Sequence, residues 1–220
     1  MTSLGALAPR SLRRQMRVIE ILAAAERAGL TPLPAAQLHT LAYFADALAP
    51  VWGMGILAGQ LLKRRAGPMS PLLQHDVDLL VGHGIVEAQS VRHHRDEDGN
   101  WRLDANYQLH HAFADQILER AELLEREGGQ LRFVREVVYA AAGLSGPGIA
   151  AAPTEDAAYA NPLIDDGSMV DIAPTGRPTN ASASVALRFG ALLVSDVALA
   201  PAEMIHLYVR ELYNRLQRAA

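Results

Sequence analysis

Two histidine pairs flank a polar turn and are the first residues to consider for metal chemistry. They lie at 93–94 and 110–111, on either side of the run RDEDGN. A hairpin centred on 98–99 would place the first pair opposite Asp104 and Leu103, and would leave the second pair beyond the strand ends. Because adjacent residues of a strand point to opposite faces, each pair offers at most one ligand. Zinc sites need three or four converging ligands, so the pattern favours solvated histidines over a metal site.

A second group of metal-ligating residue types lies in the run QHDVDLLVGHG. On a helix, His75 and Asp78 share a face because they are three residues apart. Gly82 is predicted to end that helix before His83 joins them. The HExxH arrangement of zinc hydrolases is missing from the sequence. The run is therefore interpreted as a helix with a polar face.

Other catalytic and cofactor-binding patterns are also weak in this sequence. There is no GxSxG elbow and no GxxxxGK[ST] phosphate loop. The run GMGILAG at 53–59 resembles GxGxxG only loosely, since it follows no clear strand and lacks the later acidic partner. Asp165, Asp166 and Asp171 could supply acid–base chemistry, but they lie in a predicted loop. We therefore predict a protein that is not an enzyme, with no catalytic residue, no metal and no cofactor.

Two basic clusters remain as candidates for contacts with nucleic-acid phosphates. The first lies near the N-terminus and the second before the predicted third helix. Their members are Arg10, Arg13, Arg14, Arg17, Lys63, Arg64 and Arg65. The net charge of −4 argues that bulk electrostatics do not drive nucleic-acid binding.

The elements that must position these residues begin with three helices. Apolar residues at three- and four-residue intervals predict a first helix over 11–28, with Ser11 as its N-cap, and a second that ends before Pro50. Ser70 followed by Pro71 predicts the start of a third helix, because a capping hydroxyl precedes proline at the first helical position. Residues 56–64 are compatible with either a short helix or a strand.

A β-hairpin is predicted around 98–100, where a polar Asp-Gly-Asn turn separates two extended runs. Three helices followed by a hairpin form the winged-helix pattern, in which the third helix commonly enters the major groove of DNA. Here that helix is expected to carry Gln74, His75, Asp76 and Asp78 on its polar side, which disfavours phosphate contact. A protein–protein module fits the mixed charge better, and a DNA-binding regulator remains the alternative.

The second half of the chain is predicted to be helical. One helix is expected to run from Phe113 until Gly128-Gly129 ends it, and another to follow through Ala141. Residues 145–180 are rich in Gly, Pro and polar residues and are predicted to form a long loop. Two further helices are expected, over 182–193 and from Pro201 onward.

The predicted fold class is mainly α (α+β), with two parts. Residues 1–110 are expected to form a winged-helix-like domain with one hairpin, and residues 111–220 a helical region that contains the 145–180 loop. A chain of 220 residues can bury a core as one domain or two. Since it has no cysteine, disulfides and thiolate metal sites are excluded. No apolar run approaches the roughly 20 residues that cross a bilayer, and no signal-peptide layout is visible, so we expect a cytoplasmic protein without membrane contact.

The first half of the sequence resembles Panacea-type antitoxin domains in one local arrangement. A helix with a YFAD-type segment leads to a Gly-Pro-x-Ser turn and then to a helix that ends before a Gly-Ile-Val strand. The matching positions are Tyr43, Phe44, Ala45, Asp46, Gly67, Pro68, Ser70 and Gly84. This resemblance implies an antitoxin or a regulator.

The second half resembles the middle components of ABC-three-component systems, such as Lamassu-type anti-phage defence. The similar stretches are EDAAYANPLIDDGSMVDI, NASASVALRF and PAEMIHLYVRELYNRL. The resemblance, which extends over about 12–218, implies an accessory subunit that bridges an SMC-like ATPase and an effector of the same operon. It also implies contact with double-stranded DNA held by the complex. No catalytic residue follows from it.

Overall fold

The computed structural model describes residues 10–95, 99, 101–144, 146–173, 179–192 and 199–219. It is mainly helical, as predicted, and contains two small sheets. The helices are α1 (Arg10–Arg27), α2 (Ala35–Ala47), α3 (Pro71–Gly82), α4 (His111–Glu122), α5 (Glu125–Ala142), α6 (Gly146–Ala151), α7 (Ala181–Leu192) and α8 (Pro201–Ala219). The strands are β1 (Leu33–Pro34), β2 (Gln60–Leu62), β3 (Val86–Arg95), β4 (Trp101–Leu109) and β5 (Met169–Asp171). None of the helices described is both long enough and apolar enough to cross a membrane.

The start of α3 confirms the predicted cap. The Ser70 hydroxyl accepts a hydrogen bond from the Leu73 amide at 3.2 Å, and Pro71 occupies the first helical position. The predicted cap of α1 is wrong, because the helix already includes Arg10 and Ser11 therefore lies within it. Capping chemistry thus identified one helix start and missed the other.

The hairpin is confirmed, and a short strand that the sequence did not predict joins it. β1 pairs antiparallel with β4, with Leu33 opposite Tyr107, and the three-stranded sheet has the order β1-β4-β3. β1 has only two residues, too few to show a period-two pattern. The buried side chain of Leu33 anchors it in the core.

The register of the hairpin differs from the predicted one by one residue. His93 lies opposite Leu103 and His94 opposite Arg102, while Arg92 lies opposite Asp104. A register shift between Gln89 and Arg92 accompanies this pairing. The turn residues 96–98 and 100 lie outside the described part of the chain.

The Gly128-Gly129 pair does not end a helix, contrary to the prediction. α4 ends at Glu122, and both glycines lie in the early turns of α5. A Cβ atom at Gly128 would lie 3.3 Å from the carbonyl oxygen of Glu122, so a small residue allows the close approach of the two helices. Packing of the apolar face of α5 outweighs the low helix propensity of glycine.

The predicted loop over 145–180 contains regular structure and is therefore only partly a loop. It includes α6, a 3-10 turn at Ala152–Glu155, and β5, which pairs antiparallel with β2. This pairing also shows that 56–64 contains a strand. Ile149, Val170 and Ile172 are buried, so short apolar patches are enough to hold the segment against the core. Residues 145 and 174–178 lie outside the described part.

One continuous hydrophobic cluster connects the two predicted parts of the chain. It includes Val18 and Phe44 from the first part and Phe133, Ile149 and Tyr208 from the second. α5 packs against both α1 and α8. The helical C-terminal part therefore shares its core with the N-terminal part, and the proposed division at residue 110 stays a prediction.

Candidate functional site

Two arginines of the N-terminal basic cluster, Arg14 and Arg17, are directed into the protein. The Arg17 side chain is only 4% exposed. Its Nη1 atom lies 3.8 Å from Asp46 Oδ1, and its Nε atom lies 3.7 Å from Glu20 Oε2. The guanidinium group also lies over the ring of Phe133, 5.6 Å from its centroid. Arg17 is therefore an interior cation at the junction of α1, α2 and α5.

Arg14 forms a second ion pair with the third helix. Its Nε atom donates to Asp76 Oδ2 at 2.5 Å, and Asp76 is fully buried. The prediction that Asp76 lies on the polar outer side of α3 is therefore wrong. A buried carboxylate is stable because a guanidinium compensates its charge, and hydrophobic periodicity does not reveal such pairing.

The second basic cluster anchors the segment that follows α6. Lys63 Nζ donates to the carbonyl oxygens of Asn161 and Ile164 at 2.9 and 2.7 Å. The Arg64 amide donates to the Tyr159 hydroxyl at 2.9 Å, and this hydroxyl donates to the Arg64 carbonyl at 2.7 Å. Lys63 and Arg64 therefore make hydrogen bonds within the protein that hold this segment in place.

Some of the predicted nucleic-acid contacts remain at the surface. Arg10 is exposed, and Arg65 is exposed and pairs with Asp166 at 3.2 Å. Arg13 is half-buried. The contact of these residues with nucleic acid stays a prediction.

Two buried carboxyl groups near Arg17 have raised pKa values. Burial raises the pKa of Glu20 to about 7, although Arg17 and a hydrogen bond from Gln130 act in the opposite direction. Burial also raises the pKa of Asp46, against the effects of Arg17 and of the backbone amides of Leu57 and Ala58. Perturbed groups of this kind occur both in active sites and in structural ion pairs.

A small cavity lies beside these charges. Arg14, Arg17, His39, Tyr43 and Asp46 are among its lining residues. Its volume of about 30 Å³ is enough to hold water. Pockets for drug-sized ligands have volumes of about 300 Å³ or more, so this cavity fits a water or small ion better than an organic substrate.

His39 at the edge of this cavity has a structural set of hydrogen bonds. Its Nδ1 atom accepts from the Ser70 amide at 3.3 Å, so the proton lies on Nε2, which faces Gln74 Oε1 at 3.2 Å. Burial lowers its pKa and favours the neutral ring. Gln74 continues the chain of bonds to the Tyr107 hydroxyl at 3.2 Å. His39 thus ties α2 to α3 and β4.

A polar centre that the sequence did not predict surrounds Asp156. Its Oδ1 atom accepts from the Tyr43 hydroxyl, from Ser182 Oγ at 2.7 Å, and from two backbone amides. Its Oδ2 atom accepts from the Tyr208 hydroxyl at 2.7 Å. The five donors come from α2, α7, α8 and the chain just after Asp156, which are far apart in sequence. No local motif could therefore have identified the centre.

The Asp156 centre is enclosed rather than open to a substrate. Asp156 and Ser182 are fully buried, and Tyr43 and Tyr208 nearly so. Burial, together with the nearby carboxylate, raises the pKa of both tyrosines well above the usual range. Hydroxyls that hold their protons so firmly act here as hydrogen-bond donors. The centre joins the C-terminal helices to α2.

The histidines considered for metal binding are dispersed. His75, His83 and His93 are exposed, and His94 Nδ1 lies 3.3 Å from Asp104 Oδ2. His111 contacts a carboxylate with each ring nitrogen, Asp115 at 3.1 Å and Glu26 at 3.0 Å. These contacts raise its pKa. Within the part of the chain that the structure describes, no three histidines or acids converge as metal ligands.

The outward face of α3 is the most informative exposed surface. It is formed by Leu72, His75, Leu79 and His83, which recur at positions of one helical face. Leu72 is 53% exposed and Leu79 is 37% exposed, so both apolar side chains face solvent. The opposite side, with Leu73, Val77 and Leu80, provides the core contact. We call these four exposed residues the α3 face.

No arginine or lysine occurs anywhere in α3. A helix that contacts DNA usually carries such residues, because phosphate contacts supply much of the affinity. Leucine and imidazole side chains instead suit contact with a protein surface. The α3 face is therefore the candidate site.

No protein-family model matches the sequence, and no curated protein matches it. The resemblances to Panacea-type antitoxins and to ABC-three-component middle components therefore stay expectations.

Proposed function

We propose that this chain is a non-catalytic accessory subunit that binds partner proteins through the α3 face. In this proposal it bridges an SMC-like ATPase and an effector in an anti-phage defence complex, and DNA is contacted through that complex. The absence of arginine and lysine from a helix that exposes two leucines is the observation that carries the protein-binding part. The resemblance of the second half of the sequence supplies the identity of the partners.

The order of elements supports a winged-helix-like N-terminal part. α1, β1, α2, α3 and a β3–β4 hairpin follow one another, and the short strand β1 joins the hairpin on the β4 side. In this architecture α3 corresponds to the helix that would enter the major groove. In this proposal α3 is the counterpart of the recognition helix, and its surface suits a protein better than a phosphate backbone.

Co-expression with an SMC-like ATPase and an effector encoded beside this chain, followed by affinity purification, tests the proposal. We expect a stable complex that the double substitution L72E/L79E disrupts, because two charges would be buried at the interface. L163E is the matched control, since Leu163 is 90% exposed on another segment. Recovery of the chain alone, with both partners present and folded, would contradict the proposal.

A DNA-binding regulator or antitoxin is the second candidate function. The exposed Arg92 and Arg95 on β3 favour it, since a wing can contact phosphate. Fluorescence anisotropy with duplex DNA of its own promoter, measured between 50 and 200 mM salt, distinguishes the candidates. A tight complex whose affinity falls steeply with salt supports DNA binding, whereas negligible binding at all concentrations of salt contradicts it.

A further inference from the structure

A groove lies between α4 and the end of α3. Its lining consists of His83, Ile85, Phe113, Gln116, Ile117 and Arg120, and its volume is about 300 Å³. Phe113 is 54% exposed and stacks on the ring of His110, with the centroids 5.3 Å apart. A large aromatic side chain that is held in place yet half open to solvent is typical of a binding anchor.

The residues of α4 are divided between two faces. Phe113, Gln116, Ile117 and Arg120 recur at three- and four-residue intervals and line the groove. Asp115 and Glu119 are exposed on the opposite side of the same helix. The groove face of α4 thus carries two apolar side chains, one amide and one cation, and the carboxylates of this helix point elsewhere.

The charge of the groove determines which partner it fits. Arg120 is exposed, and no ion pair to it is found among the described residues. No carboxylate is part of the lining, so Arg120 sets the charge of the groove. The nearby Glu87 accepts a hydrogen bond from Gln108 at 2.8 Å and faces His110. A partner with apolar anchors and a carboxylate would complement this surface.

We infer that the groove binds an amphipathic helix of a partner protein, with apolar residues that contact Phe113 and Ile117 and an acidic residue that pairs with Arg120. Helices laid in apolar grooves use anchors at i, i+3 or i+4, and i+7. The inference deepens the proposed function and rests on it, because the helix belongs to a partner. His83 is common to the α3 face and the groove, so the two surfaces are adjacent.

A displayed library of 16-residue helical peptides, selected on the full-length chain, tests the inference. Its members carry apolar anchors at i, i+3 or i+4 and i+7, and their flanking positions are randomised. We expect the selected peptides to be acidic next to the anchors, and F113E to weaken their binding at least tenfold. R120E should reverse the preference and select basic flanks, because it inverts the one charge that the pairing requires.

Several outcomes would overturn the inference. The first is that no recovered peptide depends on Phe113 for binding. The second is that the unmodified chain selects peptides with basic flanks, and the third is that R120E still selects acidic flanks. A concentration-dependent dimer that F113E dissociates would show that a second copy of the chain occupies the groove instead. L163E serves as the control for an added exposed charge. If L72E/L79E disrupts the partner complex but no peptide binds the groove, the proposed function stands and the groove inference fails.

Discussion

The first and third helices of the N-terminal part use their residues in opposite ways. α1 carries a cluster of arginines, yet Arg17 is buried between Glu20 and Asp46, and Arg14 reaches the buried Asp76. α3 carries no arginine or lysine, yet it exposes Leu72 and Leu79. The two arginines of α1 thus point into the protein, whereas the two leucines of α3 face solvent. The comparison teaches that the placement of a charge follows its partners, and that a count of basic residues does not identify a phosphate-binding surface.

The largest effect on stability should come from removal of the interior cation. At pH 8, where Glu20 is ionised, R17M retains apolar length over the Phe133 ring but leaves Glu20 and Asp46 buried without their counter-charge. We expect the free energy of unfolding to fall by about 3 kcal/mol or more. Urea denaturation measures it, and R10M at the exposed start of α1 is the control, with an expected change of about 0.5 kcal/mol or less. An equal response of the two variants would contradict the interior role of Arg17.

The raised pKa of Glu20 predicts a pH dependence of the same region. The folded state holds the proton up to pH about 7 and the unfolded state only up to about 4.5. Between these values the folded state binds more protons, so this group lowers stability as pH rises. Glu20 should lower the free energy of unfolding by about 3 kcal/mol or less between pH 5 and 8. E20Q should remove this decrease.

Thermal or urea unfolding of both proteins across this range checks the Glu20 prediction. The difference between the two curves isolates Glu20 from the other titrating groups. E20Q should therefore gain stability relative to the unmodified chain as the pH rises. Parallel curves would show that Glu20 is ionised in the folded state at pH 5.

An exposed ion pair should behave unlike the interior ones. Arg65 and Asp166 lie 3.2 Å apart with solvent-exposed side chains. We expect R65A to cost about 1 kcal/mol or less, and less still at high salt, because solvent screens such pairs. Urea denaturation at 50 mM and 500 mM salt is the measurement. A loss of unfolding free energy as large as that of R17M would contradict the expected difference between interior and surface cations.

A similarly small effect on stability is expected on α3. L72E/L79E changes side chains that face solvent and should alter the free energy of unfolding by about 0.5 kcal/mol or less per residue. The internal control is L73E, which places a charge in the core and should prevent stable folding. Circular dichroism during thermal unfolding compares the three proteins. Equal destabilisation by L72E/L79E and L73E would mean that the α3 face is part of the core.

The sequence predicted what depends on local chemistry. The Ser70 cap, the hairpin and the helices that became α7 and α8 follow from capping residues, a turn tripeptide and apolar spacing. It missed what depends on pairing between distant residues. Asp156 gathers donors from as far as Tyr43 and Tyr208, and β1 is too short to show a period. The sequence contains the residues of the α3 face, but apolar spacing alone could not show that Leu72 points toward solvent.

The binding role of α3 is tested by the dissociation constant for the proposed partner, an SMC-like ATPase, compared for the unmodified chain and L72E/L79E. We predict at least tenfold weaker binding for L72E/L79E, equivalent to about 1.4 kcal/mol, with unchanged folding and no change for L163E. Equal affinity of the two proteins for the ATPase would contradict the assignment of α3 as a protein-binding helix.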